Sequence, residues 1–193
     1  MTDAVKLGIT IEDLMQANVH KQVEVVDGVF VEVNMAAAGI LHVFVGVTVY
    51  DILKPFIKKH DLGTLLTDGL TYVLHVDEHG VRTSRIPDLS FLRKGRLSGG
   101  VDLVAPFNGA PDLAIEVISP SESSADIQDE IDDLLTYGTE EVWVLYPSNK
   151  KVYQYRRDDL KMVRIYSNND QLECESLFPG LVVSVDQFFV MPE

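Results

Sequence analysis

The chain has 193 residues, 46 % hydrophobic and 24 % charged, a globular mix and neither a disordered nor a fibrous one. Sixteen Lys and Arg stand against thirty Asp and Glu, a formal charge of −14, which opposes any role resting on broad attraction to phosphate backbones or anionic lipid. The single cysteine, Cys174, excludes an internal disulfide framework and a zinc site built from several thiolates. The longest apolar runs fall short of ~18 residues and the N-terminus lacks a basic region followed by an apolar core, so a soluble, cytoplasmic protein with no membrane partner is expected.

Residues 1–193 read as one domain, without internal repeats or low-complexity linkers. Thr10, followed by Ile11, Glu12, Asp13 and Leu14, reads as the N-cap of a short helix. Asp27-Gly28 between Val23–Val26 and Val29–Val33 is a strong hairpin signal. From Ala36 to His60 the spacing of Ile40, Phe44, Val47, Ile52 and Phe56 predicts a helix, with Lys58 and Lys59 in its last turn. A strand is the alternative because the run is rich in Val, and Pro55 is expected to break or kink either element.

Thr64 to Val76 reads as a strand or hairpin broken at Asp68-Gly69, and Asp77 to Gly80 as a turn. Two short strands follow, each opened by Pro-Asp: Pro87 to Leu92 and, after a loop from Gly95 to Asn108, Pro111 to Ile118. Ser119-Pro120-Ser121 starts a helix that runs to about Tyr137 and ends at Gly138, with Ile127, Ile131, Leu134 and Leu135 on one face. Val142 to Tyr146 is a buried-type strand. The segments 151–156, 162–166 and 172–175 look like an antiparallel meander that Leu181 to Val185 closes. The order predicts an α/β (α+β) domain: a mixed sheet flanked by helices, with an N-terminal hairpin and C-terminal antiparallel strands.

Period-2 alternation puts Asp112, Ala114, Glu116 and Ile118 on one face of the second Pro-Asp strand and Leu113, Ile115 and Val117 on the other. A carboxylate amid such apolar residues costs several kcal/mol unless it is paired, protonated or metal-bound, so Glu116 is the first candidate. The alternative is a core Glu that accepts bonds from a backbone or hydroxyl donor. Asp88 lies 28 positions earlier on the neighbouring predicted strand, and strands spaced by about 4.8 Å let both carboxylates reach one ion. Hard oxygen donors with open water positions suit Mg²⁺ or Mn²⁺. Asp112, roughly 13 Å along the strand from Glu116, cannot share that ion.

The hairpin with Glu24, His42 in the first long helix, Pro87-Asp88-Leu89-Ser90-Phe91, Pro111 to Ser121, Gly138 to Tyr146 and Leu177-Phe178-Pro179-Gly180-Leu181 together resemble the Uma2 family of the PD-(D/E)XK nuclease superfamily. The resemblance runs from about residue 10 to 190, and its specific part is Pro111 to Ser121. It implies a restriction-endonuclease-like fold and a metal-dependent endonuclease that hydrolyses DNA phosphodiesters. Asp88 and Glu116 match the superfamily's two acidic metal ligands. A homodimer is the assembly the superfamily implies.

One feature departs from that pattern. The superfamily uses a lysine to activate water and stabilise charge at the phosphate. Two residues after Glu116 stands Ile118. In Uma2 members a lysine from the following helix replaces it, and the corresponding position here is Glu130. Glu130 lies roughly 60° around the helix from Ile127, so it can face the site with the opposite sign. No Lys or Arg occurs between Arg96 and Lys150. Glu130 reads as a third metal ligand, the partner of a remote Arg, or a solvated helix charge.

His42 reads as a metal ligand, a general base, a phosphate contact or a satisfied core residue. Glu24 reaches the same site or pairs with a basic side chain. Two basic groups, Arg82 to Arg96 and Lys150 to Arg164, read as phosphate contacts or as charges that protect sheet edges. Two functions follow: a metal-dependent nuclease impaired by the missing lysine, or an inactive nuclease fold kept as a dimeric binding module.

Overall fold

The structure, a computed structural model, describes residues 8–33, 39–67, 69–120 and 123–191. Thr10 caps helix α1 (Ile11–Ala17): its hydroxyl accepts from the Asp13 N–H while the Asp13 carboxylate accepts from the Thr10 N–H, a closed capping box. Strands β1 (Val23–Val26) and β2 (Val29–Glu32) form the expected hairpin. Asp27 and Gly28 take φ of 50° and 77°, the positive values that a two-residue turn between twisted strands requires.

Helix α2 spans Ile40–Lys59, and the residues expected to open it from Ala36 lie partly outside the described residues. It runs through Pro55 without the break that was one of the two outcomes expected there. Its buried stripe is Val45, Val49, Leu53 and Ile57, while Ile40 and Val47 face outward. An almost wholly apolar helix gives no sequence contrast from which to choose the buried face. By length and composition alone α2 can cross a membrane, which the run-length argument overlooked. In the fold its Val stripe covers a sheet.

Strand β3 (Gly63–Thr67) does not form a hairpin with β4 (Tyr72–Asp77); it pairs with β6 (Leu89–Arg93) instead. Strand β4 pairs with β5 (Gly80–Arg85), a strand hidden from sequence reading by its polar composition. Strand β7 (Phe107–Asn108) adds a short parallel partner to β4 within the predicted loop. Next come β8 (Leu113–Val117), helix α3 (Ser124–Tyr137), β9 (Glu141–Tyr146), β10 (Lys151–Arg156) and β11 (Val163–Ser167). The N-cap of α3 is Ser123, later than the predicted start; Ser121 and Glu122 lie outside the described residues. Residues 172–175 add no named strand, and the segment after Ser184 is a 3-10 helix, Val185–Phe189.

The expected mixed α+β fold therefore holds, with its strands divided between two sheets. One runs β2-β1-β5-β4-β7, the other β11-β10-β9-β8-β6-β3. Each is mostly antiparallel with one parallel pair, β4–β7 in the first and β8–β9 in the second. The β8–α3–β9 crossover makes the second pair parallel. Alternation on β8 and β9 then sorts the core. Leu113, Ile115, Val117, Trp143 and Leu145 pack with the α2 stripe and with Phe178, Val185 and Phe188 of the C-terminal segment. Ala114, Val142 and Val144 pack under Ile131, Leu134 and Leu135 of α3. Glu116 follows Ala114 on the α3 face, where Tyr72 of the first sheet also donates to Ser90 Oγ at 2.7 Å.

Gly63 marks a tight approach between β3 and β6. A Cβ there would lie 2.1 Å from the Leu92 carbonyl oxygen and 2.9 Å from Arg93 Cα. Backbone cannot retreat as a flexible side chain does. We expect Gly63→Ala to destabilise the fold by about 2 kcal/mol or more, read as a lowered midpoint in urea unfolding with an unchanged slope.

Candidate functional site

The site forms at the open end of the β6–β8 pair. Leu89↔Ile115 is the last paired position, and the same register sets Asp88 opposite Glu116. The two residues complete the ladder with side chains. The Asp88 N–H donates to Glu116 Oε2 at 3.4 Å, and the Val117 N–H donates to Asp88 Oδ2 at 2.8 Å. Asp88 and Glu116 thus stand at the same end of adjacent strands, each carboxylate bonded to a backbone N–H across the pair.

His42 is one turn before Val45 on the stripe of α2 that faces the second sheet. That placement aims its ring at the strand ends. Its Nε2 stands 3.3 Å from Asp88 Oδ1, and its Nδ1 stands 3.4 Å from Ser119 Oγ. Contacts at both nitrogens fix the ring plane.

The first sheet brings the other side. Glu24 on β1 is buried, accepting from Arg85 Nη1 at 2.8 Å and from the Ile86 N–H at 2.8 Å. Arg85, at the end of β5, donates from Nε and Nη2 to Asp133 Oδ2 of α3, at 3.0 and 2.6 Å. Glu24 thus both pairs with a basic side chain and reaches the site. Arg85 belonged to a group read as phosphate contacts or edge protection. Instead it is 6 % exposed on an interior strand and locked between two carboxylates. Arg93 and Arg96 are likewise committed, to Glu140 and Asp112 at the other end of β8 and β9. Asp112 accepts there from the Arg93 N–H and from Arg96, a structural anchor remote from Glu116.

Glu130 lies on the α3 stripe between Ile127 and Leu134, with its carboxyl beside that of Glu116. It is neither a solvated charge nor a simple partner of Arg85, although the guanidinium field reaches it. Burial, then the charge of Glu24, pushes the Glu130 carboxyl up to about 8, and Arg85 offsets this in part. Burial, then Glu130 and Asp88, raises Glu116 well above the usual carboxylate range. Burial also raises Glu24, against the pull of Arg85. Glu116 Oε1 is buried with no N–H group on it, which leaves the Glu130 proton or a cation to satisfy it. Two carboxylates in contact must share either a proton or a cation.

The all-oxygen donors, and a buried Oε1 without an N–H group, fit a hard divalent ion. Among the described residues no three His, Cys, Asp or Glu side chains are grouped so as to hold a metal ion together. A Mg²⁺-type site needs only one or two protein carboxylates, the remaining positions going to water and substrate oxygens.

The Uma2 family model, described as "Putative restriction endonuclease", matches residues 11–186. The chain belongs to the Uma2 family. No curated protein matches the sequence. Among solved structures, the crystal structure of "a putative nuclease belonging to DUF820" from Anabaena variabilis superposes with a TM-score of 0.74. The two share 19 % identity over 94 % of this chain and 97 % of that one, a likeness in fold. In this Uma2 chain the candidates Asp88, Glu116, His42, Glu24 and Glu130 lie around the same strand ends. Sequence reading missed the role of Arg85 and Asp133. The available signal was an Arg three residues before Asp88.

The raised carboxyl of Glu130 gives stability a definite pH dependence. Between about 4.5 and 8 the folded protein holds a proton there that the unfolded chain has released, so this group's contribution falls as pH rises through that window. We expect Glu130→Gln, which cannot ionise, to raise the melting temperature at pH 8.5 by on the order of 5 °C. The gain should shrink towards pH 5, as followed by circular dichroism in EDTA.

Proposed function

We propose that this protein is a metal-dependent phosphodiester hydrolase acting on DNA, with Asp88 and Glu116 as the residues that hold the ion. The reading is supported above all by Asp88 and Glu116 facing each other at the ends of β6 and β8, each carboxylate bonded to a backbone N–H across the pair, with no N–H group on Glu116 Oε1. When bound, Mg²⁺ or Mn²⁺ supplies Lewis-acid charge at the phosphate and makes water a stronger nucleophile.

The remaining residues prepare the site. His42 holds the Asp88 carboxylate from Oδ1 while the Val117 N–H holds it from Oδ2. Arg85, gripped by Glu24 and Asp133, is a fixed positive charge that limits repulsion among the carboxylates. Glu130 keeps a proton near Glu116 at neutral pH and must release it for the full negative charge of the site to face a cation. Ion binding and cleavage are therefore expected to strengthen as pH rises towards about 8.

Asp88→Ala and Glu116→Ala should each lower Mn²⁺- or Mg²⁺-dependent cleavage of plasmid DNA at least a hundredfold while the far-ultraviolet spectrum is retained. Cleavage equal to wild type in both variants would remove the reading.

A second reading has its own observation: the position expected to carry a catalytic lysine holds Glu130, and Arg85 is fully engaged. On that reading the fold binds and does not cut. Glu130→Lys separates the two. Under the nuclease reading it raises cleavage by tenfold or more, because it places an ammonium beside an otherwise intact carboxylate pair. No gain in a folded Glu130→Lys protein, with wild-type cleavage absent in every divalent ion, favours the binding module.

A further inference from the structure

A strand at the margin of a sheet offers unpaired N–H and C=O groups to any other strand, and proteins ordinarily blunt it with short length, polar residues or cations. Among the described residues three of the four sheet margins follow that rule. Strand β7 is two residues long, β3 exposes only Thr64 and Thr67, and β11 carries Arg164 between its exposed Val163 and Ile165. Strand β2, the margin of the first sheet, does not. All four of its residues are exposed, and Val29, Phe30 and Val31 are 62, 40 and 44 % accessible. Its one charge, Glu32, is neutralised within its own chain by Lys21 at 2.7 Å.

The hydrogen-bond pattern of the hairpin fixes which groups point outward. The Val33 N–H donates to the Gln22 carbonyl at 2.9 Å, on the β1 side. Antiparallel alternation then turns the backbone groups of Val29 and Val31 toward β1 and leaves those of Phe30 and Glu32 facing out. A second copy of the strand can satisfy them in an antiparallel pair about a two-fold axis. Three registers bring outward groups together. Phe30 opposite Phe30 calls next on Gly28, whose N–H is already given to the Arg82 carbonyl. Glu32 opposite Glu32 sets like charges against each other. Phe30 opposite Glu32, with Val31 on the axis, makes four backbone bonds, sets Val29 against Val33 and brings no like charges together.

We propose that β2 pairs with β2 of a second copy of this chain about Val31, joining two five-stranded sheets into one continuous sheet. The strand is complementary to itself in that register, which is what a two-fold interface requires of its occupant. Helix α1 widens the contact: Asn18 exchanges hydrogen bonds with Val23, the residue opposite Glu32, and the adjacent Val19 is exposed. Four backbone bonds and this apolar fringe stand at the small end of stable interfaces, so a dissociation constant of about 10 µM is expected. The pairing also orders the two sites. Glu24 stands opposite Val31 in the β1–β2 register, so one row across the joined sheet runs Glu24, Val31, Val31, Glu24. At the spacing of paired strands the two Glu24 α-carbons are about 14 Å apart, with both side chains on the same face. The nuclease reading is not needed for any of these steps, which use backbone pairing alone.

Sedimentation velocity of the full chain from about 1 to 100 µM tests this, in about 0.15 M salt so that the charge of −14 on each copy is screened. The expected result is a shift from monomer to dimer across that range. On the axis Val31 forms a non-hydrogen-bonded pair with itself, whose α-carbons lie about 4.5 Å apart, a spacing that a disulfide spans. Val31→Cys should therefore give a covalent dimer on mild oxidation, while the wild type, whose Cys174 is buried, does not. Val31→Lys sets two ammonium groups against each other, and Phe30→Pro removes an outward N–H at a place where an edge strand accepts proline. Both positions are exposed, so folding is retained, and each variant should weaken the dimer tenfold or more. A wild type that stays monomeric at about 100 µM overturns the proposal and leaves the edge to an extended segment of a different chain. A dimer unchanged in both folded variants, or one in which Val31→Cys does not cross-link, belongs to another surface and overturns it as well.

Discussion

Crowding of like charge at one seam governs the structure around the site. Glu24, Asp88, Glu116, Glu130 and Asp133 come from three elements and the approach to a fourth, and one guanidinium, Arg85, is paired with Glu24 and Asp133 and reaches Glu130 by its charge. In a medium less polarisable than water such a group is held only by donors built into the fold. The Ile86, Asp88 and Val117 N–H groups provide three, all at strand ends where ladder pairing has stopped. The deficit that remains is met by protons at neutral pH, or by an added cation.

The opposite end of the second sheet shows how this chain treats carboxylates with a purely structural task. Glu141 is buried and accepts from Trp143, Gln154 and Ser176. Asp112 accepts from a backbone N–H and an Arg. Donors of the protein occupy the oxygens of both. Glu116, on the same strand as Asp112's neighbours, has no N–H group on Oε1 and has another carboxyl against it. The contrast within one sheet separates a fastening from a place prepared for something else.

Rigid elements position this seam. Val45 and Val49 of α2 lock the helix to the apolar face of β8, which fixes His42 one turn earlier. Ile131 and Leu134 of α3 lock that helix to the other face, which turns Glu130 inward and brings Asp133 to Arg85. The two core layers thus converge on the same strand ends from opposite sides, and the distances in the site follow from packing more than from local loop geometry.

The local devices were legible from sequence: the Thr10 cap, the Asp27-Gly28 hairpin, the Gly138 helix stop, and the alternation that separates Glu116 from Leu113, Ile115 and Val117. Each depends on neighbours within a few residues, where backbone sterics and side-chain period act directly. The partition of strands into two sheets was not legible, nor were the polar strand β5 and the buried face of α2. Those outcomes depend on which surfaces meet. Arg85 shows why: its sequence neighbourhood is basic and polar, and only the arrival of Glu24 from β1 and Asp133 from α3 turns an apparent surface charge into a buried one. Sequence alone determined that Glu116 stands apart from Leu113, Ile115 and Val117 on its strand; tertiary contact decided which acids surround Arg85, because Coulomb energy depends on distances that the chain sets only once it has folded.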